Sequence, residues 1–264
     1  MTGDRPSFGA DPSFLNLVRS MGAEPFGNAN VPAGSGDAAS LSSHGTTVIA
    51  LRYADGVVMA GDRRATEGYY IADSRMDKVF QADEYSVVGI AGVAGQAIET
   101  VRLFQVELEH YEKVEGETLS LEGKANRLAQ LLRASFALIM QGLVVVPIYA
   151  GYDTARNEGR IFRYDAIGGR YEETDYNATG SGGRDAKASL KKRWSPGLDK
   201  NAAIEAAVEA LVDAGEADVA TGGPDPTRDI FPSVFLATSE GVNEAPKDDV
   251  KAAFQAVLGR RENG

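Results

Sequence analysis

The sequence predicts an α+β protein built as a four-layer αββα sandwich, and three observations carry that reading. Strands and helices come in blocks instead of strict alternation, which favours antiparallel sheets covered by helices. The first two helical stretches each carry one apolar stripe, so each of them covers something with a single face. Asp55-Gly56 stands between two strand-like runs, a two-residue hairpin signal. Two strand blocks, each followed by a helix pair, give two stacked sheets with helices outside each.

Residues 1–45 stand apart, with seven glycines (3, 9, 22, 27, 34, 36 and 45) among many Pro, Ser, Asn and Ala. Such a stretch buries too little apolar surface to offset the ordering of its backbone, and is expected to be largely flexible. One patch differs: Phe14, Leu15, Leu17, Val18 and Met21 have the spacing of a short amphipathic helix that could dock. From Thr46 the pattern becomes dense. Thr46–Ala54 and Gly56–Gly61 are expected as a strand pair, followed by strands near Met76–Gln81 and Tyr85–Ala91. In a first helix Ala97, Val101, Phe104, Leu108 and Tyr111 recur at spacings of 4, 3, 4 and 3. In a second, Ala125, Leu128, Leu132, Ser135 and Ile139 do the same. Strands return at Val144–Gly151, Gly159–Asp165 and Arg170–Ala178. Helices follow at Arg184–Arg193 and Asn201–Ala214, then a strand at Ile230–Thr238 and a helix at Val250–Leu258.

Composition excludes much chemistry. With no cysteine, disulfides, thiolate zinc sites, Fe–S clusters and Cys nucleophiles are ruled out. Only His44 and His110 could serve a histidine-bearing triad or metal site. His110 stands beside Glu107 and Glu109 on what reads as the polar side of its helix, a surface position, and no metal site or cofactor is expected. The net charge of −11 lacks the basic face that nucleic acid requires. Lys191-Lys192-Arg193 reads as a solvated helix end. No run approaches the length of a membrane span, and no secretory leader is recognisable, so a cytoplasmic protein is expected. Gly180-Ser-Gly-Gly-Arg-Asp-Ala-Lys187 is Gly-rich but lacks the phosphate-loop pattern.

A nucleophile can still be built at Gly45-Thr46-Thr47. Cleavage after Gly45 would make Thr46 the first residue of a chain spanning 46–264. Its new amine, with an unperturbed pKa of ~7.7–8.0, could act as general base for its own hydroxyl. That device needs neither His nor Cys. Alone, a Gly-Thr-Thr at the start of a strand is weak, because Thr is a common strand residue.

The surrounding residues strengthen it. The run from Thr46 through Asp62-Arg63-Arg64-Ala65-Thr66 closely resembles the start of a mature proteasome β-subunit. Met76-Asp77-Lys78-Val79-Phe80, Gly89-Ile90-Ala91-Gly92, Gly180-Ser181-Gly182 and Asp218-Val219-Ala220-Thr221-Gly222 agree in the family's order. The long leading segment and Ala220–Asp225 look most like the actinobacterial 20S form. The resemblance implies the N-terminal-nucleophile hydrolase fold, a removable pro-segment over 1–45 and a catalytic domain over 46–264. It implies Thr46 as nucleophile, Lys78 as the active-site lysine and Asp62 as its carboxylate partner. The Gly92 N–H would be the oxyanion donor, and Ser181, Asp218 and Thr221 would surround the Thr46 amine. Thr221 departs from the Ser more usual in the family, but keeps the hydroxyl. Taken singly, Asp62 reads as a turn carboxylate, Lys78 as an exposed strand lysine, Ser181 as a helix N-cap and Gly92 as helix-entry punctuation.

The resemblance also places Ala65, Thr66, Met76, Phe80, Ile90, Ala94 and Ile98 at the substrate. The six pocket positions other than Thr66 are all apolar, without Asp or Glu, which implies a chymotrypsin-like preference for bulky apolar residues before the cut. Implied partners are other β-subunits in a heptameric ring, α-subunit rings, an ATPase ring and polypeptide substrates, but neither nucleic acid nor membrane. Self-cleavage between Gly45 and Thr46 would proceed through an ester. Three alternatives stay open: a two-ring threonine peptidase of the HslV type, a non-catalytic ring-forming subunit, and an amidohydrolase acting on small amides.

Overall fold

Two five-stranded antiparallel sheets lie face to face in a computed structural model that describes residues 13–22, 45–67 and 70–262. β1 (Thr47–Tyr53) and β2 (Gly56–Gly61) form the expected hairpin, but its two-residue turn is Ala54-Asp55, one residue earlier than Asp55-Gly56, because Gly56 already pairs with Tyr53. With β10 (Tyr176–Gly180), β11 (Ser233–Thr238) and β12 (Gly241–Glu244) they build the first sheet, ordered β10-β1-β2-β11-β12. The second sheet is ordered β5-β6-β7-β8-β9, from Val79–Asp83, Ser86–Gly92, Val145–Asp153, Glu158–Tyr164 and Arg170–Glu173. β3 (Ala65–Glu67) and β4 (Tyr70–Asp73) make a separate two-stranded ribbon.

The helices among the described residues are α1 (Phe14–Ser20), α2 (Ala94–Glu115), α3 (Leu121–Ala134), α4 (Phe136–Ile139), α5 (Gly183–Arg193), α6 (Lys200–Ala217) and α7 (Lys247–Glu262). Period-2 alternation in β1 and β2 sorts their side chains between two cores. Val48, Ala50, Val57 and Met59 point inward to Val87, Ile148 and Ile161 of the other sheet. Ile49, Leu51, Val58 and Ala60 point outward to Ile204, Val208 and Leu211 of α6. On the opposite side Val88, Tyr149 and Phe162 pack under Phe104 of α2 and Leu128 of α3. Helix, sheet, sheet and helix are therefore the layers, as the block pattern predicts.

Boundaries follow local chemistry. Ser120 and Asp199 cap α3 and α6, their side chains accepting from the amides of Gly123 and Ala202. Pro147 is tolerated within β7 because pairing with β8 begins only at Ile148↔Arg163.

Several expectations move. The stretch expected as one strand over 170–178 is two, β9 at the edge of one sheet and β10 at the edge of the other. Thr174 and Asp175 carry the chain across, and with no Gly or Pro between Arg170 and Ala178 the sequence carries no strong turn signal there. The second helix stops at Ala134, where the Ser135 hydroxyl donates back to the Leu132 carbonyl at 2.8 Å, and Ile139 belongs to the short α4. The ribbon β3–β4 and strand β12 were not expected. The strand expected from Met76 begins at Val79, leaving Met76 and Lys78 in the approach to it.

The Phe14–Met21 patch does form a docked helix. Leu15 is buried against the α2–α3 core, and Phe14 meets the His110 ring edge-on with centroids 5.6 Å apart. Glu107, expected on the polar side of α2, is instead fully buried beneath α1. Its carboxylate accepts from the Ser13 hydroxyl at 3.0 Å and the Leu15 amide at 2.9 Å, and pairs with Arg127 at 3.3 Å. The rest of the expected pro-segment, residues 1–12 and 23–44 with His44, lies outside the described residues.

Candidate active site

The same end of the sandwich gathers the start of β1, the ends of β2 and β10, the start of β5 and the end of β6. Antiparallel pairing makes this inevitable: Thr47 lies opposite Gly180, and Val48 opposite Gly61. Residues flanking these strand ends therefore converge from distant parts of the chain. Thr46 sits immediately before β1, Asp62 immediately after β2, Lys78 immediately before β5, and Ser181 immediately after β10.

Thr46 is buried, and its hydroxyl donates to the Gly45 carbonyl oxygen at 2.8 Å. Lys78, also buried, donates to that same oxygen at 3.0 Å, to Asp62 Oδ1 at 2.7 Å and to the Arg64 carbonyl. Three acceptors use all three hydrogens of an ammonium. Burial pulls the Lys78 pKa below its ordinary value, and the charge and hydrogen bond of Asp62 oppose that fall. Asp62 is fully buried yet fully satisfied. One oxygen accepts from Lys78 and from the Thr47 amide at 2.7 Å, the other from the amides of Arg64 at 3.0 Å and Gly222 at 2.9 Å. A buried carboxylate survives only with such partners. Neither Asp62 nor Lys78 keeps its isolated reading as a turn or exposed residue.

On the other side of Thr46, its amide donates to Ser181 Oγ at 3.3 Å, while its carbonyl accepts from the Ser181 amide at 2.9 Å. Gly182, not Ser181, is the N-cap of α5, so the capping alternative fails. The Thr221 hydroxyl donates to Asp218 Oδ2 at 2.6 Å and lies 2.7 Å from the Thr47 hydroxyl. Burial would push the Asp218 carboxyl up, but hydrogen bonds from Ser181, Thr221 and the Ala220 amide hold it below its ordinary value. Gly92 borders Thr46 at φ +132°, a conformation L side chains rarely adopt, and a Cβ there would come within 2.1 Å of the Val144 oxygen. In this uncleaved arrangement its amide is not among the donors to the Gly45 oxygen, which are Lys78 and Thr46.

Ala65, Met76, Phe80, Ile90, Ala94 and Ile98 line a single recess with Gly45 and Thr46, as the resemblance implies. Thr66 holds Gly45, its hydroxyl accepting from the Gly45 amide at 3.0 Å. Beside the six apolar positions, two charged residues line the recess, Lys78 and Asp77. Asp77, absent from the all-apolar expectation, has its carboxylate 3.1 Å from Arg63 Nη2 and 3.3 Å from the Ser233 hydroxyl. Arg64 was also missed. Its guanidinium donates to the carbonyls of Val219 at 2.9 Å and Thr221 at 3.3 Å, tying the 218–222 loop to the lysine. Both sit inside quoted motifs, Met76–Phe80 and Asp62–Thr66, but nothing in residue type alone separates a wall carboxylate or a loop clamp from surface charge. Among the described residues no three His, Cys, Asp or Glu groups are placed to hold a metal ion, and no helix is long and apolar enough to cross a membrane.

A threonine hydroxyl on a carbonyl, backed by a buried Lys–Asp pair in a four-layer αββα sandwich, defines a hydrolase that uses threonine as nucleophile. Comparison with known proteins agrees. The family described as Proteasome subunit matches residues 42–225. A "Proteasome subunit beta" of Acidimicrobium ferrooxidans is 56% identical over 263 residues, covering 98% of this chain and 94% of the relative. One from Stackebrandtia nassauensis is 50% identical over 253 residues, covering 94% and 90%. The chain belongs to the proteasome subunit family, as a bacterial β subunit of the 20S core and a threonine endopeptidase that assembles in a ring with α subunits.

Proposed function

We propose that this chain is the zymogen of a peptidase that makes its own catalytic base by cutting between Gly45 and Thr46. The observation that carries this is the placement of the Thr46 hydroxyl and the Lys78 ammonium on one oxygen, that of the Gly45 carbonyl. Attack by Thr46 Oγ on the Gly45 carbon forms an ester while the Gly45–Thr46 C–N bond breaks. The hydroxyl proton passes to the departing Thr46 nitrogen, and water then hydrolyses the ester to free residues 1–45. Lys78, with its three hydrogens engaged, acts here as a cation that polarises the carbonyl and stabilises the charge that develops on it.

In the processed chain over 46–264 the Thr46 amine takes the proton from its own hydroxyl, with Ser181, Asp218 and Thr221 around it. The Gly92 N–H is assigned to the oxyanion, supported by its position beside Thr46 and by a backbone conformation that glycine adopts and L side chains rarely do. The apolar recess of Met76, Phe80 and Ile98 supports a chymotrypsin-like preference, the Asp77 carboxylate being engaged by Arg63 and Ser233. We assign the subunit to a heptameric β-ring between α-rings, in the cytoplasm, with its sites facing a closed chamber that an ATPase ring supplies with unfolded chains.

Size-exclusion chromatography coupled to a fluorogenic peptide panel, with and without an α partner, tests this reading. Activity is expected only in the large assembly, with faster cleavage after Phe, Tyr or Leu than after Arg. An active monomer, or preference for Arg, would contradict it.

A further inference from the structure

A second recess flanks Thr46 on the side away from Met76 and Phe80. It holds about 350 Å³ and is bounded by Val93, Gly142, Val144, Val146 and Thr179, reaching Thr46 and Ser181. No charged side chain lines it. Two elements build its apolar wall. Val144 and Val146 come from the start of β7 and its approach, and the Val93 amide donates to the Val144 carbonyl at 3.1 Å, fixing the rim beside Gly92.

The uncleaved chain shows which way a substrate runs between the two recesses. Gly45, the residue before the cut, lines the recess of Met76 and Phe80. The nitrogen after the cut is that of Thr46, and it donates to Ser181 Oγ at 3.3 Å, on the side of the second recess. In substrate cleavage the Thr46 amine first takes the proton of its own hydroxyl. Oγ bonds to the carbonyl carbon, the C–N bond breaks, and the departing nitrogen takes that proton back from the amine. The departing nitrogen must therefore lie next to the Thr46 amine, which the Ser181 contact places on the side of the second recess.

We infer that this recess is a leaving-group subsite that accepts an uncharged aliphatic or aromatic side chain on the residue just after the cut, an inference that rests on the Thr46 reading above. Val146 and Val144 would supply the apolar contact, and Thr179 a hydroxyl at the edge. An acidic or basic side chain there would be desolvated with no partner of opposite charge. Specificity would then be set on both sides of the scissile bond.

The test uses the processed, α-assembled enzyme and internally quenched peptides, identical before the cut and bearing Leu, Val, Phe, Ala, Asp or Lys after it. Leu, Val and Phe are expected to exceed Asp and Lys in kcat/KM by about tenfold or more. Val146→Asp should shift the order toward Lys at that position and leave the preference before the cut unchanged. Val146→Thr, nearly isosteric, should weaken the apolar preference in a chain that assembles normally. Normal cleavage with a flat profile after the cut, or a Val146→Asp shift confined to the residue before it, would overturn the subsite alone. Absence of all cleavage and of covalent labelling at Thr46 would overturn the nucleophile assignment as well.

Discussion

A methyl group built on Gly45 would lie 2.1 Å from the Ala220 side chain and 2.2 Å from the Ala220 carbonyl oxygen. Gly45, the residue before the proposed cut, is thus glycine for want of space, since Ala220 of the 218–222 loop stands where its Cβ would lie. Gly45→Ala should slow self-cleavage by about ten- to a hundredfold, the effect of roughly 1–3 kcal/mol of overpacking. Ala220→Gly in the same chain should restore part of the rate, and a time course of precursor loss by intact mass checks both. Asp218 gives a residue-scale pH dependence. Its folded pKa lies below that of a free carboxyl, so the stabilisation it brings is complete above about pH 3.9 and is lost as pH falls through the lowered value. Thermal unfolding followed from pH 5 to pH 2 should show Asp218→Asn losing less stability than wild type over that window. The side chains assigned to catalysis were legible as a group in the sequence, and not singly. Asp62 and Lys78 are each ambiguous alone, and their pairing depends on two strand ends meeting across two sheets. Asp77 and Arg64 stayed hidden because their roles rest on direction and contact, which residue type does not encode.

Among the elements, α1 and α2 depend on one another. Glu107 is fully buried and holds two groups of the segment before the cut, the Ser13 hydroxyl and the Leu15 amide, besides Arg127. In the chain over 46–264 that the proposed cleavage would leave, Arg127 alone of these remains. Glu107→Gln should therefore destabilise the uncleaved chain by about 1–3 kcal/mol and the processed chain by less. Thermal melts of the two forms, with the uncleaved form trapped as Thr46→Ala, measure the difference. The α1 helix was readable from its apolar spacing, and the stripe of α2 placed Phe104 and Leu108 inward. The burial of Glu107 was not readable, because α1 covers a face that composition marks as polar. The split of 170–178 escaped for a related reason. Strand propensity reports that a segment is extended, not which sheet it joins.

For the whole molecule, block order alone specifies the four layers, because each sheet needs a helix pair to cover its outer face and the other sheet to cover its inner one. The alternation in β1 and β2, with Val48 and Met59 toward the second sheet and Ile49 and Val58 toward α6, is the sequence-level record of that arrangement. The ribbon β3–β4 and strand β12 lie outside it, being too short for periodicity to mark. The architecture leaves one end where strands of both sheets terminate together, and Thr46, Asp62, Lys78, Gly92 and Ser181 all sit at that end. With no cysteine and few histidines, the fold there offers a threonine, a lysine and a carboxylate, and the proposed self-cleavage would supply the missing base by breaking the chain. Intact-mass analysis of wild-type and Thr46→Ala chains, each assembled with an α partner, tests this most directly. The account predicts that the wild-type chain begins at Thr46 while the Thr46→Ala chain retains residues 1–45 and hydrolyses no peptide. A Thr46→Ala chain cut after Gly45 in the absence of any wild-type subunit would contradict it.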